Sequence, residues 1–560
     1  MAYVIGIDTG GTYTDAVLLD TMRSGSHSVV RKAKAFTSIR KLEIGIKSSI
    51  EKLELKKKEI DALEKVVLST TLATNAIVTG RIHKAGLILI GKQPLRELAA
   101  QSVRAIGGEV NIKGRVLSKI NRDEAIRAIQ ALRPEVESIA ISGGASVRNP
   151  SLEQEVKSIV QGLYDIPVIC GHEMANVLGF WERTNTAVIN ASLLPIMDRF
   201  IRAIRNVLKQ LSIRAPVFVV KGDGSTARLN AIKDRPIDTV LSGPAASMMG
   251  IISLTQIKDA IVCDMGGTTT DTGIISGERV ELTADGATVG NWKISIKSAK
   301  LRTLALGGDS RIKIENNQVK LESTRVLPAC RGGSGEATPT DLLHYTGELL
   351  KWDEASAVQA IRRQAKAGGM NAAEYVEQAM QAILKKIYKE NIAPYKGLQL
   401  PVCAIGAPAK SWYHKTRNIY SFDLIIPENY EVAGAVGAAT AGIEEETEAI
   451  VRAGEEGYGY LIHTERGRVS LADKRAAVAK AVELTRLTAA GKIIGQNLEL
   501  DGVSVTCQDV YSRNGELVYE EIQLNEGKID ATHQKQTSGK YIETRIQAFA
   551  KGKIFINKDA

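Results

Sequence analysis

Ile5-Gly-Ile-Asp8-Thr-Gly10-Gly11-Thr12-Tyr-Thr14-Asp15 recurs 256 positions later as Ile261-Val-Cys-Asp264-Met-Gly266-Gly267-Thr268-Thr-Thr270-Asp271, Asp8 answering to Asp264 and Asp15 to Asp271. Each copy is an apolar run ending in an aspartate, a Gly-Gly-Thr turn, and a Thr-Asp pair leading back into apolar residues. That order predicts a strand, a tight hairpin and a second strand, with the glycines at the tip. A glycine tip lets backbone N–H groups approach phosphate oxygens that a Cβ would hold away. The threonine hydroxyl adds a donor, and an aspartate closing the first strand is placed to hold Mg²⁺ through water. One glycine pair is usually only a turn. Two copies with matching Asp and Thr positions predict a duplicated grip on nucleotide phosphates.

Composition narrows the setting. A chain of 560 residues predicts two to four domains with substantial cores. Hydrophobic content of 44% and charge of 24% are those of an ordinary globular protein. No apolar run reaches the ~20 residues of a membrane span, which argues against a membrane protein. The first motif begins at residue 5, so no signal peptide is expected. Five scattered cysteines form neither a disulfide framework nor a zinc pattern, and predict a cytoplasmic setting. The net charge of +10 is dispersed, with Lys56-Lys-Lys58 its one tight cluster, best read as a solvated helix face. With aromatics at 5% a base-stacking surface is not expected, hence no nucleic-acid partner.

Short apolar strands alternate with helical stretches in the first half, as in α/β folds. Strands read at 3–7, 16–19, 66–69, 86–90, 138–142 and 167–170, and helices at 39–53 and 122–132, the latter capped by Asn121. A second α/β unit begins near Pro216 and carries the second motif, a helix at 374–388, a strand that ends in a glycine turn at 404–408, and another strand at 424–427. The segment 432–443 is a helix built largely from Ala and Gly, a composition that lets another backbone come close. Paired with 184–197, it reads as an interlobe hinge. Beyond residue 446 a helix at 471–490 precedes strands around 503–510, 516–523 and 544–549, with Asn514-Gly515 as a hairpin turn. Three parts follow: 1–183, 184–445, and a small appended α+β domain, 446–560.

Duplicated Asp-x-Gly-Gly-Thr hairpins in two α/β lobes resemble the actin/sugar-kinase/heat-shock-70 ATPase superfamily. The further motifs are Ser69-Thr70-Thr71-Leu-Ala73-Thr74-Asn75, Trp181-Glu182-Arg183-Thr184-Asn-Thr186, Leu241-Ser242-Gly243-Pro244-Ala245, Pro328-Ala-Cys330-Arg-Gly332-Gly333 and Pro339-Thr-Asp341. With the hairpins they resemble the hydantoinase/5-oxoprolinase family, specifically its A-type, ATP-binding subunit, through most of residues 1–445. The resemblance implies an α/β, two-lobed actin-like (ribonuclease H-like) ATPase fold with a nucleotide cleft, plus the small C-terminal α+β domain. It implies ATP and Mg²⁺ as cofactors and phosphorylation of a carbonyl oxygen. The substrate would be a cyclic amide such as a hydantoin, lactam or 5-oxoproline, opened by water. A separate B-type subunit is the expected partner, and a homo-oligomer is compatible with the sequence. Relatives of the family activate ketones ahead of carboxylation. A different class of function, a nucleotide-driven switch acting on a partner protein, shares the same two-lobed ATPase.

On this resemblance Gly10, Gly11, Thr12 and Thr14 face the phosphates from one lobe, and Gly266, Gly267, Thr268 and Thr270 from the other, with Gly307 and Gly308 beside them. Asp8 and Asp264 are the metal-holding candidates. Asp15 and Asp271 either assist the metal or the attacking group, or pair with the hairpin backbone. Gly406, Ala407 and Gly434 should flank adenosine. Thr71, Thr74 and Asn75 follow a strand and so should face the cleft at its end, unless they cap a helix. Arg183 either binds a substrate carboxylate or makes a hinge salt bridge. His172-Glu173 is a weak metal fragment, and Cys330 reads as a small buried residue. The chain departs from the family at Leu306-Gly307-Gly308-Asp309-Ser310, where a glycine run usually ends in serine. It departs again at Ile405-Gly406-Ala407-Pro408-Ala409 and at Lys221-Gly222-Asp223-Gly224-Ser225. Asp309 puts a carboxylate near the phosphate or substrate region.

Overall fold

A computed structural model describes residues 2–554 except 39–40, 176–178, 317, 334, 455–458, 466, 515, 526–527 and 530–538. Both motifs are hairpins. Tyr3–Thr9 pairs antiparallel with Tyr13–Asp20, and Ala260–Met265 with Thr270–Ser276. Each hairpin then grows by the same rule. Its second strand takes an antiparallel neighbour, Val29–Phe36 in the first lobe and Arg279–Val280 with Arg302–Leu304 in the second. Its first strand takes two successive parallel neighbours, Leu63–Thr70 then Val217–Val220, or Val402–Ile405 then Leu424–Ile425. The repeat in sequence is therefore a repeat in sheet topology, the two-lobed actin-like ATPase fold.

Neither boundary expected at 183/184 or 445/446 marks a break in the sheets. Helix Phe180–Gln210 runs through the first. Strands Val217–Val220 and Thr226–Arg228, expected in the second unit, belong to the first lobe's sheet, and so do the C-terminal strands Ile443–Ala453, Lys540–Lys553 and Glu499–Arg513. The join is one short parallel contact, Thr226 opposite Ile443, with Thr226 N–H donating to the Gly442 carbonyl at 2.7 Å. Helix Lys474–Gly495 packs on this extension, burying Ala489 and Ile493 against Ala548 and Ala550. At the sheet's far edge Arg513 stands opposite Glu516; Gly515 of the expected turn lies outside the described residues. Conversely, 86–90, 138–142 and 167–170 form a separate four-stranded parallel sheet with Ser102–Ile106, covered on one face by Arg122–Leu132 and Ser151–Leu163. Asn121 caps Arg122–Leu132 through bonds from the Asp123 and Glu124 amides.

Between the two lobes run helices Ser242–Thr255 and Ala433–Thr440, packed into one core with residues of both sheets. Small residues permit their close crossing: a Cβ on Gly437 would lie 1.7 Å from the Ala246 carbonyl oxygen, and one on Gly250 would lie 2.0 Å from that of Ala433. The tight crossing of 433–440 is thus with 242–255 rather than with 184–197. The latter stretch of Phe180–Gln210 instead packs under the four-stranded sheet. All five cysteines are free and buried. Among the described residues no helix is long and apolar enough to cross a membrane.

Candidate functional site

The two hairpin tips face each other across a cleft of about 980 Å³. Both tips close identically, Gly10 N–H on the Tyr13 carbonyl at 3.0 Å and Gly266 N–H on that of Thr269 at 2.9 Å. Asp8, Gly10, Gly11, Thr12 and Asp15 line one wall, and Asp264, Gly266, Gly267, Thr268 and Asp271 the other. Hairpin register brings the carboxylates together: Asp8 lies directly opposite Asp15, and Asp264 directly opposite Asp271. Like charges in that position repel, because facing side chains stand on one face of the ladder.

Burial compounds the repulsion. Asp8 is pushed from 3.8 up to about 7 by burial, then by the neighbouring Asp15 carboxylate and by Asp264. Asp271 is pushed up to about 6 by burial, opposed by the Thr303 hydroxyl that donates to its Oδ1 at 2.6 Å. Burial also raises Asp15 and Asp264. Lys34, opposite Asp15 on the third strand, pairs with it at 2.6 Å, and Ser247 Oγ donates to Asp264 Oδ2 at 2.5 Å. Asp8 Oδ1 is buried with no hydrogen-bond partner among the described residues. Four carboxylates line one cleft, and the orphaned oxygen on one of them offers the hard-oxygen chemistry that suits Mg²⁺ held through water.

Other expected site residues divide sharply. Thr71, Gly308, Gly406, Ala407 and Gly434 line the cleft. Gly406 has φ +93, and a Cβ there would meet the Met265 carbonyl at 2.1 Å and Asp264 Oδ1 at 2.9 Å. Gly434 makes room for Asp8, whose Oδ2 would lie 2.4 Å from an added Cβ. Gly307 sits behind the second tip, where a Cβ would be 2.5 Å from the Gly267 carbonyl carbon. Thr14 and Thr270 are not at the phosphate face. Both are fully buried, bonded to Thr37 Oγ1 at 3.0 Å and to the Leu306 carbonyl at 2.7 Å. Strand alternation explains it: neighbours of cleft-facing Asp15 and Asp271 must point away.

Thr74 Oγ1 accepts the Leu241 N–H at 3.0 Å, tying down the start of an interlobe helix, and exposed Asn75 donates to Thr71 Oγ1 at 3.0 Å. Neither lines the cleft. Arg183 is fully buried, its Nη2 donating to the Gly143 and Gly144 carbonyls at 2.7 and 3.1 Å beside Glu153. It braces the four-stranded sheet instead of reading a substrate. Arg183→Met is expected to lower stability by about 3 kcal/mol, since two carbonyls lose their buried donor and Glu153 loses a neighbouring positive charge. Denaturant melts beside nucleotide titrations check this; an unchanged melt with weakened nucleotide binding is the contrary result. His172 Nδ1 pairs with Glu153 at 2.5 Å, while Glu173 pairs with Lys157 at 2.6 Å. Glu153, Cys170 and His172 lie together, but burial and the nearby carboxylates push the Cys170 thiol far up, against a thiolate ligand. Burial pushes the Cys330 thiol up too. Lys34, Ser247 and Thr303 carry no local signature; they reach the carboxylates only through strand register and helix packing.

The model for the N-terminal region of the hydantoinase/oxoprolinase family matches residues 4–163, and the hydantoinase/oxoprolinase model matches 183–447. The chain belongs to this family. Similar proteins include the caprolactamase subunit alpha of Pseudomonas jessenii, 28% identical over 414 residues, 64% of this chain and 58% of that one. The acetophenone carboxylase gamma subunit of Aromatoleum aromaticum is 24% identical over 449 residues, 70% and 60%. The family member described here thus spans about three fifths of the length of each of these relatives. The crystal structure of ATP-dependent caprolactamase from Pseudomonas jessenii superposes with TM-score 0.76 at 21% identity over 99% of this chain and 88% of that one. Nucleotide-free acetone carboxylase gives 0.75 at 17%, over 98% and 88%. The shared fold therefore extends past the family models into the C-terminal strands.

Proposed function

We propose that this family member binds MgATP in the cleft and uses it to phosphorylate the carbonyl oxygen of a cyclic amide, as the ATP-binding subunit of an ATP-dependent hydrolase. The observation that carries the reading is the pair of glycine-tipped hairpins presenting four converging carboxylates to one cleft. Asp8 and Asp264, one per lobe, would hold the metal. Bound there, Mg²⁺ would neutralise charge on the terminal phosphates. Gly10, Gly11, Thr12, Gly266, Gly267 and Thr268 would cradle the phosphates, and Gly406 and Ala407 would lie against the adenosine.

An amide resists water because nitrogen donates its lone pair into the carbonyl. If the carbonyl oxygen attacks the γ-phosphorus, the bond to the β-phosphate oxygen breaks and ADP leaves. The nitrogen gives up its proton, and the ring carbon is left electrophilic. Water adds to that carbon, the ring nitrogen is reprotonated and departs, and the resulting acyl phosphate hydrolyses to a carboxylate and phosphate. The chain's own task is alignment and charge stabilisation within the cleft. Relatives named as subunits of caprolactamase and acetophenone carboxylase support a separate partner subunit, of B type, that completes the opening. The carboxylase relatives favour one second reading: the same phosphorylation applied to a ketone oxygen before carboxylation.

The test is ADP formation by the purified chain with Mg²⁺, across hydantoins, lactams of graded ring size, 5-oxoproline, and ketones with bicarbonate. One ring compound is expected to accelerate turnover about 10-fold or more, a drop of about 1.4 kcal/mol in the barrier. Acceleration by a ketone alone would select the second reading. Acceleration by a protein partner and by no carbonyl compound would overturn both.

A further inference from the structure

Asp309 follows the glycine pair Gly307-Gly308, and its N–H donates to the Gly267 carbonyl at 2.6 Å. That bond seats the carboxylate over the second hairpin tip, where Oδ2 would be 3.1 Å from a Cβ on Gly267. Strands Ser310–Glu315 and Gln318–Arg325 form a hairpin whose open end sets Arg325 opposite Ser310. The chain thereby returns Arg325 to Asp309, its Nη2 at 3.2 Å and Nε at 3.3 Å from Oδ2. The same Nη2 donates to Thr12 Oγ1, on the other lobe's tip, at 2.8 Å. One guanidinium therefore links the first hairpin tip to the Asp309 segment seated on the second; its partners Thr12 and Asp309 line the cleft, and Arg325 itself stands behind them. Arg331 stands 3.8 Å from the second oxygen, Oδ1, its guanidinium held among the rings of Tyr13, Phe36 and Trp352.

We propose that Arg325 is a ligand for the γ-phosphate of bound ATP, and that the Asp309 carboxylate holds it in place across the tips until the nucleotide arrives. The inference rests on the nucleotide reading above. The terminal phosphate is the part of ATP that reaches both tips, since both hairpins are assigned to the phosphates while Gly406 and Ala407, assigned to adenosine, follow a second-lobe strand. Two guanidinium groups face the single Asp309 carboxylate, so one positive charge beside the tips is left to meet a polyphosphate. A phosphate group offers Arg325 more charge and two oxygens in bidentate geometry, so it displaces the carboxylate. Arg331, fastened by its aromatic neighbours, stays to balance Asp309. Arg325, its side chain 37% exposed, is the one that exchanges partners.

Calorimetric titration of the full chain with Mg²⁺ and either ADP or a non-hydrolysable ATP analogue tests the assignment. Arg325→Ala is expected to weaken the triphosphate about 30-fold while changing ADP affinity less than about 3-fold, the size of a lost charge-assisted contact. Arg325→Lys should recover part of the loss, because the charge remains and the fork does not. Asp309→Asn should tighten the triphosphate about 5-fold by removing the competing anion. Equal weakening of both nucleotides by Arg325→Ala, or no weakening of either, overturns the role of Arg325. Looser triphosphate binding by Asp309→Asn overturns that of Asp309. Wild-type chain that binds neither nucleotide overturns the nucleotide reading itself, and the inference with it.

Discussion

Asp8→Asn will abolish Mg²⁺-dependent ATP turnover, by about 10³-fold or more, and at the same time raise the melting temperature of the nucleotide-free protein at pH 8. The loss follows from removing one of the two carboxylates, one on each lobe, that are proposed to hold the metal. The gain follows from the proton balance. Folding lifts Asp8 from 3.8 to about 7 and Asp271 to about 6. Between those limits the native state binds protons that the unfolded chain has released, so stability falls as pH rises from about 4 to about 7. At pH 8 the native cleft holds mutually repelling carboxylates at their full cost, and a neutral amide at position 8 relieves part of it. A rise of about 5 °C is expected at pH 8 and roughly a third of that at pH 5, where only part of the pH span has been crossed. Mg²⁺ with nucleotide should raise the wild-type melting temperature more at pH 8 than at pH 5. Parallel melting curves of wild type and variant across that range would refute this account.

Gly437→Val should be among the most damaging single changes in the chain, destabilising it by about 4 kcal/mol or leaving no folded protein. Nothing in the local conformation forbids valine in helix Ala433–Thr440. The obstacle is the neighbouring backbone: an added Cβ would stand 1.7 Å from the Ala246 carbonyl oxygen and 2.5 Å from the Gly250 nitrogen. Gly6 faces the same helix from the first strand, 2.0 Å from the Ala435 carbonyl by the same measure. Backbone atoms in two packed helices have nowhere to go, so the helices must separate and the lobes with them. A helical glycine elsewhere supplies the control. Gly162, in Ser151–Leu163, has open space where its Cβ would be, so Gly162→Ala should stabilise by about 0.5 kcal/mol or more. Denaturant midpoints of the two variants separate the steric effect from any general intolerance of glycine replacement.

The hairpins were legible because their code is local. A turn that needs glycine, an aspartate at the strand end and a threonine beside it lie within a dozen residues, and the repeat showed that both copies take the same shape. Strand alternation, also local, already separates Asp15 from Thr14 and Asp271 from Thr270, and the two threonines turn inward as it requires. The Ala/Gly composition of 433–440 announced a close backbone approach but not its partner, which the packing of Ser242–Thr255 supplied. Arg183 carries no sign in sequence of whether it meets a substrate or the Gly143 carbonyl, because burial belongs to the assembled fold. Lys34 needed strand register, and Arg325 needed both its hairpin register and the meeting of the lobes that brings it to Thr12. The extension of the first lobe's sheet through Thr226 and Ile443 was equally invisible, being set by which edge strand remained to be paired. From sequence alone came the duplicated glycine-tipped hairpin, its carboxylates and the family. Tertiary structure alone decided which lobe each strand joined and which charges met across the cleft, since backbone pairing and burial are satisfied between segments hundreds of residues apart.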